Sequence, residues 1–223
     1  MNNLTLIIPA KNESESLPKV LDELKKYPYN ISIVLHESDK ETINSIKEYN
    51  AKIIYQKNFG YGDALIQGIN KCETKYFCIF NADGSFNPGE IDSMIDKTIN
   101  ENLDFVFASR YQKNSGSEDD TIITLVGNYI FTTIGKIFFK LKITDILYTF
   151  VLGRTNKAKQ LNLTQKDFSF CVELPIKAGR NNMKMSSISC YERKRIAGHK
   201  KVNAFKDGLK ILLHMIRLFF SNK

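Results

Sequence analysis

Residues 77–85 read FCIFNADGS, an apolar stretch that runs directly into a polar turn. The apolar run followed by Gly and Ser predicts a buried β-strand and its exit turn. A carboxylate at the exit of such a strand, here Asp83, lies where the sheets of α/β proteins usually bind ligands. Asn81 and Ser85, two residues to either side, add oxygen atoms of the kind that Mg²⁺ and Mn²⁺ accept. Read alone, the turn is equally typical of a solvated strand end, so the rest of the chain must decide.

Similar strand ends recur along the first half of the chain. Further apolar strands are predicted at residues 4–10, 31–35, 51–55 and 104–108, with amphipathic helices between them. This alternation predicts parallel βαβ units and therefore an α/β fold, a Rossmann-like, mostly parallel sheet flanked by helices. The carboxyl ends of the strands should then meet at one edge of the sheet, where a ligand would bind.

The second half of the chain has a less regular pattern. Residues 109–121 are polar and predict a surface loop, and residues 126–141 predict an apolar helix with lysines on one side. Strands are predicted over residues 145–153 and 183–191, and residues 167–178 predict a strand or loop that leads into a helix.

Basic residues are concentrated near the C-terminus. Residues 177–223 hold 12 lysines and arginines against two acidic residues, whereas the whole chain has a net charge of +8. This pattern predicts a phosphate-bearing ligand, contact with an anionic surface, or simply a solvated basic face. Residues 205–220 keep a 3.6-residue apolar period with basic residues on the polar side. We predict one domain over residues 1–202, followed by a basic amphipathic helix within 203–223 that packs on the domain or a membrane surface.

The cysteines and the apolar runs indicate the compartment. The four cysteines are scattered without Cys-x-x-Cys spacing, which argues against a zinc site and fits reduced cytosolic thiols. A strand that starts at residue 4 predicts no signal peptide, and no uninterrupted apolar run reaches the roughly 20 residues needed to span a bilayer. We therefore expect a cytoplasmic protein, and the basic helices leave peripheral attachment to the cytoplasmic face of a membrane open.

Several other chemistries are disfavoured by the sequence. Gly60-x-Gly62 is a weak signal for dinucleotide binding, because the third glycine and the acidic residue about 20 positions further on stand in the wrong context for that fingerprint. There is no Walker A sequence and no Gly-x-Ser-x-Gly nucleophile elbow. The three histidines, His36, His199 and His214, have no partner at metal-ligand spacing and are predicted to be surface or loop residues.

The remaining constellation is an oxygen-rich strand end combined with separate cations. A metal held by Asp83, with arginines facing it, would neutralise a diphosphate. This combination suits a nucleotide-diphosphate leaving group. The candidate cations are Arg110, Arg154, Arg180, Arg193, Arg195, Lys200 and Lys201.

Five short motifs resemble those of family 2 glycosyltransferases with the GT-A fold. IPAKNE at 8–13 resembles the Pro-Ala-x-Asn-Glu opening of that family, and GYGDAL at 60–65 resembles its Gly-x-Gly-x-Ala-Leu helix start. NADGS at 81–85 stands where the family carries its Asp-x-Asp metal motif, and ASRY at 108–111 is similar to its Gly-Ser-Arg-Tyr strand end. RIAGHKK at 195–201 resembles the basic loop of the branch that contains dolichyl-phosphate mannose synthase and polyprenyl-phosphate glycosyltransferases.

The resemblance implies a metal-dependent enzyme of cell-envelope biosynthesis and a role for each matching residue. It implies that Mg²⁺ or Mn²⁺ is held by Asp83, Asn81 and Ser85. Catalytic contacts to the diphosphate would come from Asp83, Arg110, Arg195 and Lys201. The nucleotide sugar would be bound by Pro9, Lys11, Glu13, Glu37, Asn81, Ala82 and Asp83. The partners implied are a nucleotide-diphosphate sugar and a lipid-phosphate or glycan acceptor, with a membrane surface as a further partner and no nucleic acid.

The sequence also departs from the family pattern. The Asp-Asp-Gly-Ser of the second strand is replaced by the shorter His36-Glu37-Ser38, and Asn81 replaces the first metal aspartate. The transmembrane helices that follow the catalytic domain in that branch are missing from this sequence.

Two hypotheses follow from these motifs. The first is an inverting transfer of a sugar from a nucleotide-diphosphate donor to a polyprenyl phosphate or a cell-envelope glycan. A phosphate acceptor is already anionic, whereas a hydroxyl acceptor needs a general base, for which Asp145, Asp167 and Glu173 are candidates. The second is a degenerate GT-A domain that binds a nucleotide or a protein partner without catalysis. A nucleotidyltransferase is disfavoured because no Gly-rich basic loop follows the first strand.

Overall fold

Strands and helices alternate regularly along the first half of the chain. The structure is a computed structural model that describes residues 3–198 and 201–221. The strands in these ranges are β1 Leu4–Pro9, β2 Asn30–Leu35, β3 Lys52–Tyr55, β4 Tyr76–Ile79, β5 Phe105–Ser109, β6 Gly116–Ser117, β7 Val151–Arg154, β8 Met185–Ser189 and β9 Tyr191–Glu192. The helices are α1 Leu17–Leu24, α2 Lys40–Ser45, α3 Tyr61–Asn70, α4 Glu90–Asn100, α5 Ile122–Phe139, α6 Thr155–Gln160, α7 Phe170–Arg180 and α8 Ala204–Phe220.

Seven strands form one sheet in the order β3-β2-β1-β4-β7-β5-β8. All of its neighbouring pairs are parallel except those of β7, which is antiparallel to both β4 and β5. The register places Leu6 beside Ile31 on β2 and Cys78 on β4. Strands β6 and β9 form a separate parallel pair. The predicted mixed α/β fold with a mostly parallel sheet flanked by helices is therefore confirmed.

The strand predicted over residues 145–153 is wrong in its first part. Only Val151–Arg154 pairs in the sheet. Ile146, Tyr148 and Phe150 are buried but belong to an irregular segment. Alternating apolar residues report burial on one side of the chain, and burial does not require a strand ladder. The short helix α6, which follows β7 directly, was not predicted.

Both faces of the sheet are covered, as expected for parallel strands that read as continuous apolar runs. Successive residues of β1 point to opposite sides: Ile7 belongs to one core cluster, whereas Leu6 and Ile8 belong to the other. Apolar residues of α3, α6, α7 and α8 pack in the first cluster, and residues of α1 and α4 pack in the second. All four cysteines are buried and free, in agreement with the predicted reduced thiols.

Helix α5 starts earlier than predicted and lies largely exposed. Thr121 and Thr124 form a capping box at its N-terminus. One side is attached to the domain by Asn128, which donates to Asp145 Oδ1 at 2.7 Å and accepts from the backbone N–H of Leu147 at 3.1 Å. In the described part of the chain, this is the one helix long and apolar enough, by length and composition, to cross a membrane, although its 18 residues are interrupted by Asn128 and Lys136.

Helix α8 packs against α5 and α7 through one side. Ile211, Met215 and Leu218 are buried there, and the Arg180 guanidinium contacts the Leu218 carbonyl near the end of the helix. His214 is also buried on this side, so the prediction that it is a surface or loop residue is wrong. It lies one turn from Ile211 and Leu218 on the buried side of the helix, and the absence of a metal-ligand partner carries no information about burial.

Candidate active site

The loops after β1 and β2 are joined at the carboxyl edge of the sheet. Asp39 Oδ2 accepts from the backbone N–H of Asn12 at 2.7 Å, and Asp39 also caps α2. The backbone N–H of Glu13 donates to Thr42 Oγ1 at 2.9 Å. Two short polar links therefore fix the loop that contains the predicted donor-binding residues of β1.

The turn after β4 holds Asp83 in one orientation. Asp83 Oδ1 accepts from the backbone N–H of Ser85 at 3.0 Å and from its hydroxyl at 2.7 Å. Gly84 between them has φ +83°, a conformation that L side chains rarely adopt. Ser85 is buried and its hydroxyl is used by Asp83, so the structure gives it the role of a positioning residue for Asp83.

Asn81 lies on the other side of Asp83 in this turn. Its Oδ1 is 3.5 Å from the Tyr61 hydroxyl, which is also 2.6 Å from Thr149 Oγ1. Ala82, a predicted nucleotide-sugar contact, is buried in the core, so its side chain is not presented to a ligand.

The segment after β9 lies directly on the Asp83 turn. The backbone N–H of Ile196 donates to the Asp83 carbonyl at 2.8 Å, and that of Arg193 donates to the Ser85 carbonyl at 2.9 Å. A Cβ on Gly84 would lie 2.4 Å from Ile196 Cδ1, so no larger residue fits there without movement. The basic segment that begins at Arg193 is thus hydrogen-bonded to the turn that carries Asp83.

Arg195 is held between two carboxylates. Its Nε and Nη2 donate to Asp119 at 3.2 and 2.8 Å, and its Nη1 lies 3.5 Å from Asp83 Oδ2. The hydrogen bonds to Asp119, followed by the charges of Asp83 and Glu13, raise the pKa of Arg195 against the opposing effect of burial. Asp119 was not predicted as a site residue, because the polar residues 109–121 indicate only a surface loop.

A second ion pair joins the end of the basic segment to the loop after β1. Lys201 Nζ contacts Glu13 Oε1, and the other oxygen of Glu13 accepts from the Ser16 hydroxyl at 2.6 Å. Glu13, Asp83, Arg195 and Lys201 are therefore brought to one edge of the sheet, as the sequence predicted. His199 and Lys200 lie outside the described residues.

Arg110 does not contact Asp83 or Glu13 but forms ion pairs with Asp145 and Glu192. Its Nε and Nη2 donate to the two carboxylate oxygens of Asp145 at 2.8 and 3.1 Å, and its Nη1 donates to Glu192 at 3.1 Å. Its guanidinium also lies over the ring of Tyr148. Burial would lower the pKa of Arg110, but the Asp145 charge raises it well above its usual range. Burial raises the pKa of Glu192, and the Arg110 charge opposes this effect.

The remaining predicted donor-binding residues differ in exposure. Lys11 and Glu37 are exposed on the loops after β1 and β2, and Pro9 is half-buried at the end of β1. These positions leave all three accessible to a ligand at the carboxyl edge.

Gly60 and Gly62 allow the backbone of residues 165–167 to approach the start of α3 closely. A Cβ on either residue would lie 2.1 Å from a backbone oxygen, that of Lys166 for Gly60 and that of Gln165 for Gly62. The backbone N–H of Asp63 donates to the Lys166 carbonyl at 3.0 Å. The two glycines are therefore required by the approach of residues 165–167 to the start of α3.

The residues around Asp83 fit a metal site that a donor would complete. No cluster of three His, Cys, Asp or Glu side chains within the described ranges could hold an ion by itself. Asp83 Oδ2 and Asn81 Oδ1 are nevertheless hard oxygen donors, and Mg²⁺ is commonly held by one or two carboxylates together with substrate phosphates. The donor set is thus chemically suited to Mg²⁺ or Mn²⁺ in the presence of a diphosphate.

The three candidate general bases have structural partners. Asp145 is fully buried against Arg110. Glu173 accepts from the backbone N–H groups of Thr164 and Gln165 and pairs with Lys177, and these bonds lower its pKa although burial would raise it. Asp167 accepts from the backbone N–H of Ser169 at 2.9 Å at the start of α7.

Comparison with known proteins gives relatives for most of the chain. The family model described as Glycosyl transferase family 2 matches residues 5–161. The chain is 22% identical over 227 residues to an uncharacterized protein of Methanocaldococcus jannaschii, covering 96% of this chain and 93% of that protein. It is 25% identical over 207 residues to a Methanococcus voltae protein named UDP-N-acetylglucosamine–dolichyl-phosphate N-acetylglucosaminyltransferase, covering 82% of each chain.

Solved structures share the whole fold. Glucosyl-3-phosphoglycerate synthase from Mycobacterium tuberculosis, in complex with Mn²⁺, UDP and glucosyl-3-phosphoglycerate, matches with a TM-score of 0.71 at 10% identity, covering 99% of this chain and 81% of that chain. Mannosyl-3-phosphoglycerate synthase from Rubrobacter xylanophilus matches with a TM-score of 0.70 at 12% identity, covering 96% and 72%. The chain therefore belongs to glycosyl transferase family 2 and is a glycosyltransferase with the GT-A fold.

Proposed function

We propose that this glycosyltransferase moves a sugar, with inversion, from a nucleotide-diphosphate donor to a polyprenyl phosphate or a related lipid phosphate. The observation that carries the proposal is the position of α5 and α8, two largely exposed apolar helices that both begin beside the candidate active site. Helix α5 follows Asp119, the partner of Arg195, and α8 follows Lys201, the partner of Glu13.

The two helices lie side by side and run in the same direction. Phe131 of α5 is near Gly208 of α8, and further along each helix Phe138 contacts Phe219 with ring centroids 5.6 Å apart. Both helices therefore lead away from the active-site edge, and their exposed faces begin where the donor diphosphate would be.

These exposed faces have the composition of a membrane-surface site. Ile122 is 83% exposed at the start of α5, and Phe205 is 80% exposed at the start of α8. The other exposed apolar residues are Ile123, Leu125, Val126, Tyr129, Ile130, Ile137, Phe138, Leu209, Leu213, Ile216, Phe219 and Phe220. The exposed basic residues beside them are Lys136, Lys140, Lys142, Lys206, Lys210 and Arg217. Apolar area with adjacent lysines favours the surface of an anionic bilayer. Peripheral attachment on the cytoplasmic side is part of the proposal.

The chemistry follows from the cluster at the sheet edge. Asp83, with Asn81 beside it, would hold Mg²⁺ or Mn²⁺, which would stabilise the charge on the departing diphosphate. Arg195, held by Asp119, would turn its Nη1 from Asp83 to the same diphosphate. Lys201 would pair with the diphosphate in place of Glu13. A lipid phosphate is anionic at neutral pH and attacks the sugar carbon without a general base. The structural partners of Asp145 and Glu173 support such an acceptor because they leave neither carboxylate available.

Two relatives support the donor and acceptor classes. The Methanococcus voltae protein is named for transfer to dolichyl phosphate. The Mycobacterium tuberculosis synthase binds UDP and Mn²⁺ within the same fold.

The test is a transfer assay on the purified chain with UDP-, GDP- and dTDP-sugars, Mg²⁺ or Mn²⁺, and a polyprenyl phosphate in vesicles. We expect a glycosylated lipid phosphate with at least one donor, and loss of this product in Asp83→Ala. Asp22→Ala, at an exposed surface ion pair with Lys25, is the matched control. Product formed only on phosphoglycerate or on a sugar hydroxyl would refute the lipid acceptor. No turnover with any donor would refute the proposed function and favour a nucleotide-binding domain.

Membrane attachment is tested separately by flotation with phosphatidylcholine vesicles, with and without phosphatidylglycerol. Binding should require the anionic lipid and should be lost in Ile130→Glu. Ile99→Glu changes an equally exposed isoleucine on α4 and should have no effect.

A further inference from the structure

We propose that His36 and Phe59 form the platform on which the nucleobase of the donor stacks, so that Phe59 is a donor-binding residue. This inference rests on the proposed function, because it assumes a nucleotide-diphosphate sugar at the carboxyl edge. Neither residue was among the predicted site residues, and the pair is formed by two loops that are distant in sequence.

The His36–Phe59 pair lies about as far from Asp83 as the nucleobase of a nucleoside diphosphate lies from its phosphates. His36 follows β2 and Phe59 follows β3, whereas Asp83 follows β4. The strand order β3-β2-β1-β4 separates β2 from β4 by two strand spacings and β3 from β4 by three. At about 4.8 Å per spacing this is roughly 10–15 Å along the edge. An extended nucleoside diphosphate with its phosphates at Asp83 spans a comparable distance and would cross the loop after β1.

The two rings form a stacked pair with an open side. Their centroids are 4.0 Å apart and the ring planes differ by 23°. Phe59 is nevertheless 65% exposed, so His36 covers only part of the ring. A planar ring that is supported by one aromatic side chain and open to solvent is suited to a third ring, and every nucleobase has a π-face that can stack in this way.

The loop that carries Phe59 is fixed by hydrogen bonds on both sides of the ring. Gln56 Nε2 donates to the carbonyls of Asn58 at 3.1 Å and Gly60 at 2.9 Å, and Asn58 Nδ2 donates to Asp63 Oδ1 at 3.2 Å. Gly60 is held against the Lys166 carbonyl, as described above. The exposed ring is therefore presented by an ordered loop, which lowers the entropic penalty of binding a ligand.

His36 is likewise fixed beneath the Phe59 ring. Its Nδ1 accepts from the backbone N–H of Ser38 at 3.2 Å and lies 2.7 Å from the Ser38 hydroxyl. An Nδ1 that accepts a backbone hydrogen bond places the proton of the neutral ring on Nε2. His36 can thus support the Phe59 ring and offer an N–H at its edge. In this chain His36 opens the turn that replaces the family's acidic turn after the second strand.

The experiment measures binding of UDP, GDP and dTDP, and of inorganic pyrophosphate as a probe without a base, by calorimetry in the presence of Mn²⁺. Phe59→Ala should weaken the best nucleotide about tenfold, since removal of an aromatic stacking partner has effects of this order. It should leave pyrophosphate binding unchanged. Phe59→Tyr should restore most of the affinity, and Phe59→Leu, which keeps apolar area but no ring, should not.

Tyr27→Ala is the matched control, because Tyr27 and Tyr29 form another stacked pair at the opposite edge of the sheet, before β2. It should leave nucleotide affinity unchanged. Equal nucleotide affinity in the wild type and Phe59→Ala would overturn the platform while leaving the proposed function intact. A wild-type protein that binds pyrophosphate as tightly as every nucleoside diphosphate would also overturn it. Failure of the proposed function is a separate result, the absence of transfer with every donor.

Discussion

Arg195 Nη1 lies 3.5 Å from Asp83 Oδ2, while the other nitrogens of the same guanidinium are bound to Asp119. The cation thus already occupies the neighbourhood in which the donor diphosphate is proposed to lie. Asp119 holds it there without using the side of the guanidinium that faces Asp83. This arrangement orients the cation before a ligand arrives, which is the condition for efficient electrostatic stabilisation of a leaving group.

Replacement of Arg195 should therefore impair turnover far more than it impairs folding. We expect Arg195→Ala to lower kcat/KM for the donor about 100-fold, in the range seen when one stabilising donor is removed. Arg195→Lys should retain part of the activity because it keeps the charge but not the planar fork. Steady-state kinetics with the best donor measures the effect. Lys194→Ala, at the exposed neighbouring position, is the control, and an unchanged kcat/KM in Arg195→Ala would contradict the assignment.

Arg110 should behave in the opposite way, as a residue of the fold. Arg110→Ala leaves Asp145 buried without its ion-pair partner, which typically costs about 3–5 kcal/mol. Urea denaturation should show this loss, and Arg110→Lys should lose less because a charge remains near Asp145. Arg217→Ala, at an exposed position on α8, should change the free energy of unfolding by less than about 0.5 kcal/mol. A normal stability of Arg110→Ala combined with lost transfer would instead support the sequence-based role at the diphosphate.

The contrast between Arg195 and Arg110 shows that the sequence could identify candidate arginines but not their ion-pair partners. Both arginines are candidate diphosphate contacts in the sequence, because both stand in motifs that resemble the family. The partner of Arg110 is Asp145, 35 residues further along the chain, and no local pattern predicts that pairing. The partner of Arg195 is Asp119, whose place depends on the pairing of β6 with β9, two strands too short to be recognised from sequence.

The sheet edge itself was predictable because it depends on local signals. Apolar strands ending in polar turns mark β1, β2, β3 and β4, and parallel topology brings their ends together. The antiparallel insertion of β7 was not predictable, since its strand carries the same apolar pattern in either direction. The exposure of α5 was not predictable either, because an apolar helix is ordinarily a buried one.

His214 should make the stability of α8 depend on pH. It is 9% exposed, and Nε2 is buried without a hydrogen-bond partner. Burial lowers its pKa below the usual 6.5; Glu173 and Asp167 oppose this effect, and Lys177 and Arg217 add to it. A group whose folded-state pKa is lowered stays neutral in the fold, so its protonation favours unfolding. Stability should be fully present above pH 6.5 and fall as the pH drops through the lower folded-state value.

The measurement is the Tm of the wild type, His214→Leu and His214→Gln at pH 7.5 and 5.5. If protonation costs about 1 kcal/mol, the wild type should lose roughly 2–4 °C more between these pH values than either variant. The two variants differ in polarity but neither titrates, so they should share one pH dependence even if their absolute Tm values differ. A wild-type pH dependence equal to that of both variants would exclude His214 as its source.

Two glycines within helices should respond to alanine with opposite signs. A Cβ on Gly68 of α3 would lie 2.3 Å from Ile7 Cγ2, in the core where α3 crosses β1, whereas a Cβ on Gly127 of α5 meets nothing within 4 Å. Gly68→Ala should therefore lower the free energy of unfolding by about 1–3 kcal/mol through overpacking. Gly127→Ala should raise it by about 0.5–1 kcal/mol, the usual gain for alanine over glycine in a helix interior. Urea denaturation of both variants measures these changes in the free energy of unfolding. Equal effects would mean that α3 can move away from Ile7, and then the packing that positions the Gly60–Gly62 turn beside residues 165–167 would be less rigid than these distances indicate.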